Sequence, residues 1–175
     1  MNKVIVVVDM QSDFVDGALG TQEAQEMLPR LVEKLKAEQA AGTAFVFTMD
    51  THGADYLTTQ EGKKLPVPHC IRGTAGWEIV EALQPFVRTA AAVIEKPTFG
   101  ATALPSALAD YDEIEFVGLC TDICVISNAL LAKASTPRNA SVSMPPAARA
   151  SPPRATRTPS LRCRCVRSRW GEWNF

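Results

Sequence analysis

The chain has 175 residues, a formal net charge of -1 and 46% hydrophobic residues, an ordinary globular composition with room for one buried core. Its first apolar run, Val4 to Val8, is far too short for a signal sequence or a membrane span, and the acidic body offers neither nucleic acid nor a membrane an obvious partner surface. The five cysteines follow no secreted framework, which points to a cytoplasmic protein with free thiols.

The near-zero net charge hides a division along the chain. Residues 1–134 hold 18 of the 19 acidic side chains and all seven lysines, for a net charge of -8. Residues 135–175 hold eight of the eleven arginines and one acid, Glu172, for a net charge of +7.

Val4 to Val8 is a continuous β-branched run, as expected of a central parallel strand covered on both faces, and it ends at Asp9. Leu28, Leu31, Val32, Leu35 and Gln39 fall on helical spacing, with Gly42 placed to end the helix. Phe45 to Thr48 reads as a second strand, ending near Asp50. Residues 51–74 read as a long loop, a kind that is usually functional in a compact domain. Ile79, Val80 and Leu83 predict a helix over Trp77–Phe86. Ala92 to Ile94 is a third strand leading to Lys96, and residues 102–109 allow a short helix. Ile114 to Gly118 is a fourth strand, followed by a helix from Ile123 to Ala134.

Strand alternating with helix implies an α/β fold with a parallel sheet and right-handed crossovers. Working residues in such sheets gather beyond the carboxyl ends of the strands. Asp9, Asp50, Lys96 and the 120–124 turn all lie there. Beyond Ala134 the chain is rich in Pro, Arg, Ser and Ala, with no apolar periodicity past Val142 to Met144. The expectation is one α/β domain over residues 1–134. Residues 135–175 then form an atypical tail, disordered or the product of a frame shift, that offers no further strand.

Several residue groups could carry chemistry. Cys124, in the first turn of a helix, would have its thiolate stabilised by backbone N–H groups and the helix dipole, lowering its pKa; the alternative is a buried Cys acting as a small hydrophobe. Asp9 closes an apolar strand and could take the thiol proton; the alternative is a cap or a solvated turn residue. Lys96 could pair with Asp9 and stabilise negative charge, or be a surface lysine. Asp50-Thr51-His52 and His69, the latter pair being the only histidines, could hold a metal with open positions for water. Glu61 could add an oxygen ligand. Mixed N/O donors suit Zn²⁺, Fe²⁺ or Mn²⁺ without choosing among them.

Taken in order, Asp-x-Gln-x-Asp-Phe from Asp9, Asp-x-His from Asp50, Pro-His-Cys from Pro68, Glu-Lys-Pro from Glu95 and Gly-x-x-Thr-Asp-x-Cys-Val from Gly118 resemble the nicotinamidase/isochorismatase-like cysteine hydrolases. The resemblance implies a three-layer α/β/α fold around a parallel sheet. It implies Cys124 as nucleophile, Asp9 as general base and then acid, and Lys96 as charge stabiliser. It also implies a cis peptide before Cys120, with the backbone N–H groups of Cys120 and Cys124 forming the oxyanion hole. Asp50, His52 and His69 match the metal residues of the nicotinamidase branch, where the metal binds the pyridine nitrogen and an aromatic, here Phe14, packs on the ring. The implied reaction converts a small amide to acid and ammonia through a thioester that water then hydrolyses. The competing readings are a metal-free relative acting on another small substrate and an inactive, truncated family member. A homo-oligomer is compatible with the resemblance.

Overall fold

The computed structural model describes residues 2–135 and 141–144. Five strands form one wholly parallel sheet: β1 (Lys3–Val8), β2 (Ala44–Asp50), β3 (Ala92–Lys96), β4 (Glu113–Gly118) and β5 (Ser141–Ser143). Their order across the sheet is β3-β2-β1-β4-β5. The helices are α1 (Ser12–Val15), α2 (Gln22–Ala40), α3 (Gln60–Lys64), α4 (Gln84–Val87), α5 (Leu104–Ala107) and α6 (Ile126–Ser135).

The β-branched run of β1 has no polar face because both of its faces are covered. Ile5 and Val7 enter one core with Leu31 and Leu35 of α2 and Phe45 and Phe47 of β2. Val4, Val6 and Val8 enter a second core with Leu104, Leu108, Val125, Ala129 and Ala132. Period-two alternation thus feeds two layers, which gives the three-layer α/β/α arrangement expected. Each fully buried Val or Ile contributes about 1.5–3 kcal/mol, so this central strand anchors the fold.

Helix α2 starts where the Thr21 hydroxyl accepts from the Ala24 amide at 3.1 Å. It ends at Gly42, whose φ of +83° suits a residue without Cβ.

Three local expectations need correction. Residues 51–74 are not all loop: Tyr56–Thr58 forms a 3-10 turn, and α3 follows, capped by the Thr59 hydroxyl accepting from Gly62 N at 3.0 Å. A five-residue helix of polar residues around one glycine carries no apolar period to reveal it. Trp77–Phe86 is not one helix. Ile79 makes an antiparallel bridge to Gln11, then a 3-10 turn over Glu81–Leu83 leads into α4. Ile79, Val80 and Leu83 are all buried, but backbone bonds to the 10–12 segment hold the first part extended: Ser12 N donates to Glu78 O and Val80 N to Met10 O. Finally, the region after Ala134 does offer a strand. Val142 of β5 is buried beside β4, a single apolar side chain between two serines and so too short to show a pattern. Residues 136–140 and 145–175, where the rest of the expected tail falls, lie outside the described residues.

Candidate active site

Each of the four longer strands delivers one group to the carboxyl edge of the sheet. In spatial order these are Lys96 from β3, Asp50 from β2, Asp9 after β1 and the Cys120–Cys124 turn after β4. Central β1 connects onward to β2 on one side and pairs with β4 on the other, the type of crevice in which open parallel sheets bind ligands.

Local backbone explains how these groups converge. Asp9 has φ of +50°, a left-handed conformation that Asp tolerates better than most side chains, and its amide donates to Thr48 O at 3.1 Å. Gly118 has φ of +113°, and a Cβ there would lie 2.1 Å from Val8 O. Only glycine lets β4 end against β1, and it brings the next turn beside Asp9. The peptide bond between Leu119 and Cys120 is cis, as the family resemblance implies. Ile123 N and Val125 N both donate to Cys120 O at 3.1 Å, and Thr121–Val125 forms a π-type turn before α6. The helix expected from Ile123 therefore becomes α-helical only at Ile126, with Cys124 inside the preceding turn.

Asp9, Lys96 and Cys124 meet in one buried cluster. Lys96 Nζ lies 2.7 Å from Asp9 Oδ2, 3.2 Å from Asp50 Oδ1 and 3.6 Å from Cys124 Sγ. Lys96 starts two strands away from β1, about 9–10 Å at normal strand spacing, so a long cationic side chain is needed for this reach. The Thr48 hydroxyl donates to Asp9 Oδ1 at 2.7 Å. Asp9 Oδ2 has the short ion pair with Lys96 but no well-angled hydrogen bond among the described residues, which leaves it able to accept a proton.

Burial and the charge of Asp50 push the Asp9 carboxyl up against the opposing pull of Lys96. Burial alone would lower Lys96, but the charges of Asp9 and Asp50 raise it, so it stays cationic. The expected lowering of the Cys124 pKa is not found. Burial and the negative charge of Asp9 push the thiol up, with Lys96 pulling the other way, so the resting group is a thiol.

The residues proposed from sequence as metal ligands also converge, Glu61 included. One donor atom from each of Asp50, His52, Glu61 and His69 lies within 4.8 Å of the others. His52 Nε2 is 2.9 Å from Asp50 Oδ2, and His69 Nε2 is 3.6 Å from the same oxygen. Both ring nitrogens lie 3.9 Å from Glu61 Oε1. Ligand bonds of about 2.0–2.2 Å place neighbouring donors about 3–4 Å apart, so this set matches a divalent cation. The chemistry fits as well: two carboxylates and two imidazoles converge, and Lys96 is the only fixed cation touching Asp50 among the described residues. His69 Nδ1 lies 2.8 Å from Val67 O, a bond it makes as donor, which turns Nε2 toward the cluster. Burial would raise Asp50, but hydrogen bonds from His52 and His69 and the charge of Lys96 hold it well below the ordinary carboxylate range.

Aromatic rings wall this cluster. Phe14 meets His69 edge-on at 5.5 Å, and Tyr56 lies 4.7 Å from His52 and 5.0 Å from His69. The Tyr56 hydroxyl donates to Leu65 O at 2.9 Å, and burial helps push its pKa up to about 12.

Sequence reasoning assigned no role to Thr48, Gln11, Tyr56 or Asn128. Thr48 could have been noticed as the one polar side chain inside Phe45–Met49. Gln11 alternates with Asp9 and Asp13, and its fully buried amide clamps Asp50. Its Oε1 accepts from Asp50 N at 2.7 Å, while its Nε2 donates to Asp50 O at 2.8 Å and to Trp77 O at 2.7 Å. Asp13 Oδ2 accepts from the amide of Cys70, directly after His69, at 2.8 Å. Tyr56 and Asn128 carry no local sequence signal.

Known proteins resemble this chain in sequence and fold. An isochorismatase family protein, PncA of Bacillus subtilis, is 29% identical over 143 residues, covering 74% of this chain and 78% of that protein. The crystal structure of the nicotinamidase/pyrazinamidase PncA from Bacillus subtilis matches with a TM-score of 0.73 at 28% identity, covering 86% of this chain and 87% of that one. The pyrazinamidase of Pyrococcus horikoshii, solved in complex with zinc, shares the fold at 24% identity with a TM-score of 0.67, over 87% of this chain and 89% of that one. The isochorismatase domain family matches residues 3–135, and with most of its length in that match the chain belongs to the isochorismatase family.

Proposed function

We propose that the protein hydrolyses a small, nicotinamide-like carboxamide to the acid and ammonia through a thioester on Cys124. The observation that carries this reading is the reach of Lys96 Nζ to both Asp9 Oδ2, at 2.7 Å, and Cys124 Sγ, at 3.6 Å. Structural similarity to the nicotinamidase/pyrazinamidase of Bacillus subtilis supports the substrate class.

In the proposed reaction Asp9 takes the proton of the Cys124 thiol as sulfur attacks the amide carbon. Because the resting thiol is held protonated, proton transfer accompanies attack. Lys96 stays cationic and compensates the charge as it moves between sulfur and carboxylate. The oxyanion is held by the backbone N–H groups of Cys120 and Cys124. Asp9 returns the proton to the departing nitrogen, the C–N bond breaks and ammonia leaves. Water then adds to the thioester carbon, giving its proton to Asp9. The C–S bond breaks, and sulfur recovers the proton. A carboxyl pushed upward by burial suits a group that must both accept and donate near neutral pH.

Asp50, His52, His69 and Glu61 would hold the divalent cation, with zinc, iron and manganese all suited to the donors. Bound there, it supplies a Lewis acid for a heteroatom of the substrate. Phe14, packed on His69, would offer a face to an aromatic ring. A reducing, cytoplasmic setting belongs to the same proposal and is supported by Cys70 and Cys124 being free thiols. No helix among the described residues is long and apolar enough to cross a membrane.

Ammonia release from nicotinamide, measured after chelation and again with added zinc or manganese, tests the reading. Metal-dependent release is expected. Equal release with and without metal favours a metal-free relative, and no release from any small amide contradicts the assignment.

A further inference from the structure

Asn128 is fully buried and has no part in the chemistry above. It lies on α6, one turn after Cys124. Its Nδ2 donates to Cys124 O at 2.8 Å and to Phe99 O at 3.1 Å, and its Oδ1 accepts from Ala101 N at 2.8 Å. The orientation of the amide is unambiguous, because the two carbonyls require donors and the amide N–H requires an acceptor. Both N–H bonds of the side chain are used.

These bonds join two stretches that are 28 residues apart at their functional positions, Cys124 and Lys96. One is the turn that carries Cys124. The other is the 97–101 segment that leaves β3 directly after Lys96. No strand pairing links them, since β3 and β4 lie on opposite sides of β1 and β2. Ala101 and Cys124 lie in the same apolar core, so the amide spans two elements already in contact. Packing alone allows sliding, whereas three directed hydrogen bonds specify one register.

We infer that Asn128 is a positioning residue that fixes the Cys124 turn against the segment following Lys96, and so sets the Lys96–Cys124 approach. The inference rests on the roles proposed above for Cys124 and Lys96. A local role is distinguishable. A Thr hydroxyl at this position can bond the Cys124 carbonyl one turn back, but it is too short to bridge to Phe99 and Ala101. If the bridge matters, Asn128→Thr resembles Asn128→Ala.

The test compares the full chain with Asn128→Ala and Asn128→Thr by circular dichroism, by kcat and KM for ammonia release from nicotinamide, and by the pH profile of Cys124 alkylation with iodoacetamide. Cys124→Ala supplies the background from the other thiols. A displacement of about 1 Å between reacting groups costs about 10–100-fold, so kcat should fall by that factor in both variants with KM within about threefold. The alkylation profile should move to higher pH, because Lys96 recedes while Asp9 and Asp50, the negative charges felt by Cys124, remain. If Asn128→Ala does not fold, Asn128→Thr, which keeps the local bond, decides alone. Wild-type kcat and an unshifted alkylation profile in a folded Asn128→Thr overturn the inference. If the wild-type chain releases no ammonia from nicotinamide or any other small amide, the proposed function fails, and the alkylation profiles still decide the role of Asn128.

Discussion

Asp50 and Lys96 form a buried contact of 3.2 Å between Oδ1 and Nζ, while the other oxygen of the same carboxylate lies 2.9 Å from His52. One side chain thus belongs to two clusters, the Asp9–Lys96–Cys124 group and the four-donor cation set. The register that places Asp50 beside Lys96 on neighbouring strands builds this junction into the sheet.

The Asp9–Lys96 pair is fully buried, and removing one partner leaves a charge unpaired. Lys96→Met should lower stability by about 3–5 kcal/mol. Asp9→Asn combined with Lys96→Met should recover much of that loss while activity remains absent. Urea unfolding of the two single variants and the double variant measures the coupling. A double variant no more stable than Lys96→Met would show that the lysine acts by packing rather than by charge.

Acid sensitivity follows from Asp50. Its folded pKa lies below the ordinary value of about 3.9, so as pH falls the unfolded state takes up the proton first. Stability supplied by the ionised group is fully present above about pH 4 and is lost as pH drops toward the folded pKa. In metal-free protein, the denaturation midpoint should fall steeply below about pH 4, and Asp50→Asn should flatten that limb. A slope unchanged by the substitution would assign the acid limb to other carboxylates.

Gln11 grips both backbone groups of Asp50 from a fully buried position. Gln11→Ala should cost about 1–3 kcal/mol, since it leaves buried polar groups unpaired. It should also weaken zinc binding by about 10–100-fold, the usual effect of losing a group that orients a ligand. A competition titration with a zinc chelator reads the second effect separately from folding. Wild-type zinc affinity in a destabilised variant would confine Gln11 to a structural role.

Gly118 tests the close approach that sets Asp9 beside the Cys124 turn. Gly118→Ala places a methyl 2.1 Å from Val8 O at a φ of +113°. More than about 3 kcal/mol of stability should be lost, beyond the cost of an ordinary glycine replacement. A thermal melt showing near-normal stability would mean that the two strand ends can separate without consequence.

Long-range order was legible in the sequence where a strong local pattern existed. The buried run of β1 and the polar residues closing each strand announced a parallel sheet with its site at one edge, and the ordered motifs brought Asp9, Lys96 and Cys124 together. Glu61 was harder to place, because it rides on a five-residue helix whose only local sign is the Thr59 cap. Trp77–Phe86 misled because burial from several directions imitated a helical stripe, while its backbone bonds went to the distant 10–12 segment. The depressed pKa expected of Cys124 came from reasoning about helix ends alone. Burial and the Asp9 carboxylate outweigh that effect, and neither is visible until the sheet is assembled. Asn128 reaches Phe99 and Ala101, 29 and 27 residues away in sequence, contacts that no spacing rule encodes.

The most direct test of Cys124 as nucleophile is ammonia release from nicotinamide by the wild-type chain and by Cys124→Ala, at equal concentration and with the same added metal. Circular dichroism must show both to be folded. The account predicts steady release by the wild type and none above background by Cys124→Ala. Release by the folded variant at the wild-type rate would contradict it.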